Sequence, residues 1–378
     1  MKKMRICYLA SAKSIHVKRW AQYFAQRGHE VHVISLMPSD TDSMKTHILK
    51  KSRIRIKILS YALDSVLMFF KIRKLLKEIN PDILHAHYVW DYGISGALMG
   101  FRPFVISVWG SDVLVVPKKS PIYRLIIASS LRRADVITTT AVYMGSHLEN
   151  EFDLPKEKII RIPWGVDLSI FCKGYNNEVN ALKKKLNIPE GVPVIISNRN
   201  MTPLYNVESI VEAAYNVTLS HPKTVFIILR GYGHAELEEK MKMKAEALGI
   251  SQNIRFIPDL LTQEEMTVFL NAADIFISIP KTDQFASSIM EGMACGLIPI
   301  VTTMKVYTQY LQEGENAFFV NPDDPQEIAE KIIYCIEHPG IKEHIYKINK
   351  KIIEEEEDWT KNARKMEELY ETLLERMT

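Results

Sequence analysis

No stretch of this 378-residue chain is long and apolar enough to cross a bilayer. About 18 consecutive apolar residues are required, and the best run, residues 104–116, is interrupted by Gly110 and Asp112. Cysteine is scarce. Cys7, Cys172, Cys295 and Cys335 lie far apart, no C-x-x-C pair occurs, and no His or Cys stands close enough to complete a metal quartet. This excludes a disulfide scaffold and a zinc module and leaves free thiols in a reducing cytoplasm as the expectation. A G-x-G-x-x-G fingerprint is missing after the first strand-like segment of either half, which argues against a dinucleotide-dependent dehydrogenase. No repeat of solenoid length is present, and the only biased tract, residues 354–358, reads as a solvated helix face. The apolar residues 6–10 near the start are too few for a secretory signal and read as a first strand.

The rest is ordinary globular composition, 47% hydrophobic and 25% charged, in a chain too long for one core, so two domains are expected. The net charge of +3 hides an asymmetry: up to Gly165 there are 26 Lys+Arg against 13 Asp+Glu, and beyond it 22 against 32. Much of the basic excess lies in residues 45–77. Lys50, Lys51, Arg53, Arg55 and Lys57 precede Leu67, Met68, Phe69 and Phe70, and Lys71, Arg73, Lys74 and Lys77 follow. Such a combination suits an anionic membrane face, with a solvated basic helix as the plainer alternative.

Strand-like and helix-like segments alternate from the start, the pattern of parallel sheets with crossover helices. Residues 5–10 read as a strand, Val17, Trp20, Ala21, Phe24 and Ala25 recur at helical spacing, and Gly28 closes that helix. Further strands are expected at 31–35, 54–59, 83–86, 104–107 and 136–139, with 159–163 leading out. After an irregular stretch at 174–179 the same grammar restarts with a strand at 194–197 and a helix carrying Val207, Ile210, Val211, Ala214 and Tyr215. Strands follow at 225–230, 254–257, 275–279, 299–301 and 318–320. The expected fold is α/β: two Rossmann-like doubly wound domains, 1–165 and 166–355, facing a central cleft, with a C-terminal helix, 356–378, packing back on the first. In such folds ligands bind beyond the carboxyl ends of strands, so the informative residues are those that follow strands.

The most specific segment is residues 275–302, where a strand ends near Pro280, a polar loop follows, and Ser287 or Ser288 opens a helix that Gly296 stops. Beside Ala286, the N–H groups and hydroxyls of Ser287 and Ser288 form an anion site suited to a diphosphate, and Glu291, one turn in, would accept from ribose hydroxyls. The alternative is that Ser288-x-x-Glu291 is only a capping box.

This segment resembles the donor-site motif of family-4 retaining glycosyltransferases of the GT-B fold, in which two acids eight positions apart precede a small-residue helix. Here the acids are Asp283, shorter than the usual Glu, and Glu291, followed by Gly292, Met293, Ala294, Cys295 and Gly296. The resemblance covers nearly the whole chain. Ala134-Asp135-Val136-Ile137 is similar to the family's A-D-x-[IV] strand, and Ile162-Pro163-Trp164-Gly165-Val166-Asp167 to its I-P-N-G-V-D link. Ser197-Asn198-Arg199 resembles the strand end bearing a donor-phosphate arginine; the lysine usual a few residues later is replaced by Leu204-Tyr205-Asn206, and Lys281 is the candidate substitute. His85-Ala86-His87-Tyr88 is similar to an H-x-H segment. We assign His87 to the cleft and a structural role to His85, on the expectation that the two rings leave opposite faces of the strand and make poor partners for one metal. Trp109-Gly110-Ser111-Asp112 resembles an H-G-x-D loop with Trp109 in the histidine's position. Residues 11–16, with Ala12, Lys13 and Ser14, stand where relatives have a Gly-Gly pair near the phosphates. Gly231-Tyr232-Gly233 resembles a G-x-G turn near the nucleotide, a plain turn being the alternative, and Pro258 sits where the base is expected.

The resemblance implies a hexosyltransferase in which Arg199 and the helix start stabilise the leaving diphosphate. Asp283, Glu291, His87 and Asp112 complete the expected catalytic group. Ser14, Asn198, Arg199, Gly231, Tyr232, Pro258, Ala286, Ser287, Ser288 and Glu291 form the expected donor contacts. It implies retention of configuration, a UDP-sugar in preference to GDP-mannose, and a hydroxyl acceptor on a glycan or lipid-linked glycan in cell-surface polysaccharide or glycolipid synthesis. No metal, no other cofactor and no nucleic acid is expected; Asp40-Thr41-Asp42 is a bare D-x-D in a polar loop. The expected location is the cytoplasm, peripheral on the inner face of the plasma membrane. The rival readings are a nucleotide-sugar epimerase of the same architecture and a catalytically inactive nucleotide-sugar-binding subunit.

Overall fold

The computed structural model describes residues 3–38, 44–49, 57–283 and 286–377, with side chains of the helix Lys57–Ile79 described from residue 67 onward. Asp40, Asp42 and the cations from Lys50 to Arg55 lie outside the described residues. The chain divides into two compact units: Met1–Trp164 with Lys361–Thr378, and Gly165–Thr360. All four cysteines are free, and Cys7, Cys295 and Cys335 are buried.

The first unit is built on seven parallel strands: β1 (Arg5–Leu9), β2 (Glu30–Ser35), β3 (Lys45–Ile48), β4 (Ile83–His87), β5 (Phe104–Ser107), β6 (Val136–Thr139) and β7 (Ile159–Arg161). Their order is β3-β2-β1-β4-β5-β6-β7. The expected strand at 54–59 is corrected: residues 57–59 open the helix Lys57–Ile79, and the third strand is β3. The reason is the period. Met68, Ile72, Leu75, Leu76 and Ile79 recur at helical spacing and pack on the core, and the backbone is one continuous helix from Lys57.

The sheet sorts its side chains by alternation. Cys7 and Leu9 of β1, Leu84 and Ala86 of β4 and Ile106 of β5 join a core with Ile72 and Leu76, Ala97, and Ile127 and Leu131 from three successive crossover helices. On the other side Tyr8, His85 and His87 are buried. There the helix Ile15–Gln26 meets the C-terminal helix Trp359–Glu375, with the Phe24 and Tyr370 rings stacked at 5.2 Å. A buried polar clamp holds that contact. Glu367 is 2% exposed and accepts hydrogen bonds from Arg27 Nε and His29 Nε2, both at 2.9 Å. The Met4 N–H donates to His29 Nδ1 at 3.1 Å, which leaves the ring proton on Nε2 for the carboxylate.

The second unit has six parallel strands: β8 (Val194–Ser197), β9 (Val225–Leu229), β10 (Ile254–Ile257), β11 (Ile275–Ser278), β12 (Ile298–Thr302) and β13 (Phe318–Val320), in the order β10-β9-β8-β11-β12-β13. The inner strands β9, β8, β11 and β12 are apolar up to their last residue, as expected of strands covered on both faces, whereas the edge strand β10 carries Arg255. In each unit the order reverses beside the unit's first strand, between β1 and β4 and between β8 and β11. A crevice forms at such a switch point, because the two flanking crossovers leave on opposite faces of the sheet.

Candidate active site

At the switch point of the second unit, Arg199 follows β8 and is 7% exposed. Its Nη1 donates to Ser288 Oγ at 2.7 Å, and its Nη2 pairs with Asp283 Oδ2 at 2.8 Å. The Tyr205 ring lies against the guanidinium, 4.3 Å from Cζ to the centroid. Tyr307, in the loop after β12, donates its hydroxyl to the same Asp283 oxygen at 2.8 Å. Burial alone would drain the charge from Arg199, but Asp283 and the two phenol groups outweigh it and raise its affinity for the proton. Tyr307 is held protonated by burial and by Asp283.

The helix Ser287–Ala294 begins at the cap residue Ala286, and no side chain caps it. The capping-box alternative for Ser288 and Glu291 is thereby removed: Ser288 lies inside the helix and its hydroxyl accepts from Arg199 instead. The cap residue, Ala286, supplies no side-chain hydrogen bond to the first turn, and the positive end of the helix dipole lies beside a buried guanidinium. Asp283 is not an isolated second acid but the counter-ion of Arg199. Glu291 sits half-buried in the second turn of the helix.

Around this centre the other expected donor contacts take definite positions. Asn198 is half-buried, its Oδ1 is buried with no hydrogen-bond partner among the described residues, and its Nδ2 lies 3.9 Å from Met266 Sδ. Asn206 adopts φ +48 and donates from Nδ2 to the Ile279 carbonyl, tying the segment after β8 to the end of β11. Lys281 points elsewhere, with its ammonium exposed and 3.9 Å from Asp323. Tyr205, rather than a second cation, therefore stands beside Arg199. In the Gly231–Gly233 turn, a Cβ on Gly233 would lie 2.3 Å from the Met201 carbonyl oxygen, and one on Gly231 2.3 Å from Asn200 Oδ1. Both glycines are required by the packing of the turn on the segment after β8, and Tyr232 is left 80% exposed. Arg230 donates to the Pro258 carbonyl at 2.7 Å and fixes the end of β10.

In the first unit residues at the end of β4 and after β1, β5 and β7 form an aromatic cluster. His85 and His87 project from the same face of β4 and stack at 4.3 Å, so the expectation of opposite faces is corrected: residues two apart on a strand share a face. His85 is buried in a hydrogen-bonded chain, to Tyr370 through Nδ1 and to Ser107 through Nε2 at 2.7 Å. His87 is 1% exposed and, among the described residues, neither ring nitrogen has a partner. Burial and the neighbouring His16 lower it to about 3, so it is neutral at working pH and offers one donor and one acceptor. Trp109 packs edge-on to His87 at 6.1 Å and to Trp164 at 5.2 Å, and His16 stacks on Trp164 at 3.8 Å.

Asp112 is fully buried and accepts from the backbone N–H groups of Val89 at 2.8 Å and Trp109 at 3.0 Å, which fastens the loop after β5 to the one after β4. Burial lifts its carboxyl to about 6 against those donors. It touches loop backbone and is not presented to solvent. Tyr88, beside it, is forced to φ +76, strain of the kind that collects at binding sites. Ser14 caps the helix Ile15–Gln26 without a side-chain hydrogen bond, and Ala12 is held by Ser35 Oγ at 3.0 Å.

Sequence reasoning did not find Tyr307, Trp164, His16 or the stacking of Tyr205. Tyr307 belongs to no motif, and only its position after a strand end could have flagged it. Among the described residues no group of three or more His, Cys, Asp and Glu could hold a metal ion.

Two doubly wound units in tandem, each with its polar residues at the switch point, define the GT-B class of enzymes. Comparison with known proteins makes this specific. The family described as glycosyl transferases group 1 matches residues 178–366, half of the chain, and glycosyl transferase 4-like matches residues 5–141. The chain belongs to the glycosyl transferases group 1 family and is a glycosyltransferase that uses a nucleotide sugar. It is 21% identical to N-acetyl-alpha-D-glucosaminyl L-malate synthase of Bacillus anthracis, covering 82% of this chain and 81% of that one. It is 24% identical to alpha-monoglucosyldiacylglycerol synthase of Acholeplasma laidlawii, covering 83% and 82%. Among solved structures, Anabaena HepE in complex with UDP matches with a TM-score of 0.81 at 16% identity over 98% of this chain and all of that one. A glycosyltransferase from Rickettsia africae matches with a TM-score of 0.80 at 18% identity over 99% of both.

Proposed function

We propose that this enzyme transfers a hexosyl group from a nucleotide diphosphate sugar, UDP-linked in preference to GDP-linked, to a hydroxyl of a glycan or lipid-linked acceptor, with retention and without a metal. One observation carries the reading: a buried arginine, bonded to Ser288, stands at the uncapped start of the helix Ser287–Ala294. Breaking a sugar–phosphate bond builds negative charge on the leaving diphosphate, and a fixed cation with helix N–H groups stabilises that charge without reorganising. The diphosphate would exchange places with Asp283 on the arginine fork, which presents two planar donors to either anion. Retention follows if the acceptor attacks from the leaving-group side and a phosphate oxygen takes its proton, since neutral His87 and loop-bound Asp112 are poor general bases at pH 7. The lipid-linked acceptor draws support from the diacylglycerol glycolipid named for the Acholeplasma relative, and the preference for UDP from the HepE complex.

The test is a panel of nucleotide sugars scored by release of nucleotide diphosphate, with and without glycolipid acceptors and with EDTA. The expected result is slow release from one UDP-sugar, accelerated by acceptor and indifferent to EDTA, with a product whose anomeric configuration by NMR equals the donor's. An inverted linkage would overturn the mechanism. Conversion of the donor to its epimer without acceptor would instead identify an epimerase, and tight binding without turnover an inactive subunit.

A further inference from the structure

The helix Pro121–Arg133 of the first unit turns an apolar edge to solvent. Ile122 is 64% exposed, Leu125 69% and Ile126 37%, three large side chains within two turns, and Val115 just before the helix is 42% exposed. Soluble helices usually bury such a stripe; here the opposite side of the same helix supplies the core through Ile127, Ala128 and Leu131. Residues 113–131 contain three cations, Lys118, Lys119 and Arg124, and no acid. Arg124 is engaged with Glu151 at 3.4 Å, whereas both lysines are exposed. The apolar surface continues across the same helical layer, with Leu98 53% exposed on the adjacent helix and Phe70 61% exposed on the helix beyond it.

We propose that this helical layer seats the enzyme on an anionic bilayer, with Ile122, Leu125 and Ile126 inserted among the acyl chains and Lys118 and Lys119 against the headgroups. Apolar side chains flanked by the exposed Lys118 and Lys119 fit a lipid surface that is apolar within and negative at its boundary. A protein partner fits less well, because it would have to match the apolar edge and set an acidic collar against the exposed Lys118 and Lys119. Of the basic segment singled out from sequence, residues 45–48 form β3, residues 50–56 lie outside the described residues, and residues 57–77 belong to the helix Lys57–Ile79 that carries Phe70; the insertion edge on Pro121–Arg133 is a different element. The proposal rests on the lipid-linked acceptor for its purpose, but its test reads binding alone.

The full-length protein is floated with vesicles of phosphatidylcholine alone and of phosphatidylcholine mixed with phosphatidylglycerol, at low and high salt. The parent is expected to float with the mixed vesicles. Ile122→Ser with Leu125→Ser should weaken binding by at least about tenfold at either salt, from lost apolar burial. Lys118→Ala with Lys119→Ala should weaken it by roughly fivefold per lysine at low salt, and the difference should fade at high salt. All four positions are on the surface, so soluble donor turnover should be unchanged. Three results would overturn the proposal: a parent that ignores the mixed vesicles, a serine variant that floats like the parent, or a parent dimer in solution that the serine variant dissociates. If flotation behaves as stated while no nucleotide sugar is turned over, the membrane surface stands and the assigned reaction fails.

Discussion

Arg199 makes three contacts, with Ser288, Asp283 and Tyr205, and each constrains what a substitution does. Arg199→Ala should lower turnover by about 10²–10³, the loss seen when one transition-state donor is removed from a comparable site. It also removes the counter-ion of Asp283, whose side chain is only 14% exposed, so the melting temperature should fall as well, and Asp283→Asn in the same chain should restore part of it. Arg199→Lys keeps the charge but not the fork, and should recover stability better than rate. Steady-state kinetics and thermal melts on the three variants check this. Asp112 sends a different signal. Its folded value is raised from 3.8 to about 6 by burial, so the protonated form favours the fold: that contribution is complete below about pH 4 and is lost as pH rises through 6. Above pH 6 the buried carboxylate costs about 3 kcal/mol relative to the protonated group. Asp112→Asn should abolish this slope of melting temperature between pH 4 and 6. It should not stabilise at neutral pH, because both oxygens accept N–H groups and an amide would set its own donor against Val89 or Trp109.

The helix Trp359–Glu375 is the element most dependent on one side chain. Glu367 →Ala leaves His29 and Arg27 facing an empty buried position. Because Arg27 remains 31% exposed, the loss should stay near the low end for a buried charged pair, about 2 kcal/mol, or roughly 4–8 °C in the melt of the first unit. Burial works against the Glu367 carboxylate, but Arg27 and His29 outweigh it and lower its value. Its contribution is therefore full above the ordinary 4.5 and is lost as pH falls through the lowered value. The helix itself was readable from the spacing of apolar residues near the C-terminus; its anchor was not, since His29 and Glu367 stand 338 residues apart. At β4, strand and histidines are legible in the sequence, and the two-residue period of a strand puts both rings on one face. The third strand was missed for another reason: Lys45–Ile48 is short and polar, while the apolar residues nearby belong to a helix.

For the molecule as a whole, ligand binding and folding are linked. If UDP binds the folded second unit at Arg199, nucleotide at about 100 times its Kd should add about 2.7 kcal/mol of stability. A shift of roughly 5–10 °C should follow, absent from Arg199→Ala and unaltered by EDTA. A shift that persists in the variant would move the nucleotide elsewhere. The opposed charges of the two halves, +13 before Gly165 and −10 after it, belong to this level too. They bear on which surface a negative membrane attracts rather than on how either unit folds.

Strand and helix content, the restart of the pattern in the second half and the residues that follow strand ends are all written locally, in apolar periods of two and 3.6 and in a few turn residues, because each depends only on neighbours in the chain. Which of those residues meet is another matter. Arg199, Asp283, Ser288 and Tyr307 converge only because β8 lies beside β11 and β11 beside β12. Trp109, after β5, reaches His16, after β1, because β4 alone lies between those strands, and it reaches Trp164 because β6 and β7 continue the same sheet. Strand order is fixed by crossover packing across a sheet, a long-range property that no local propensity encodes.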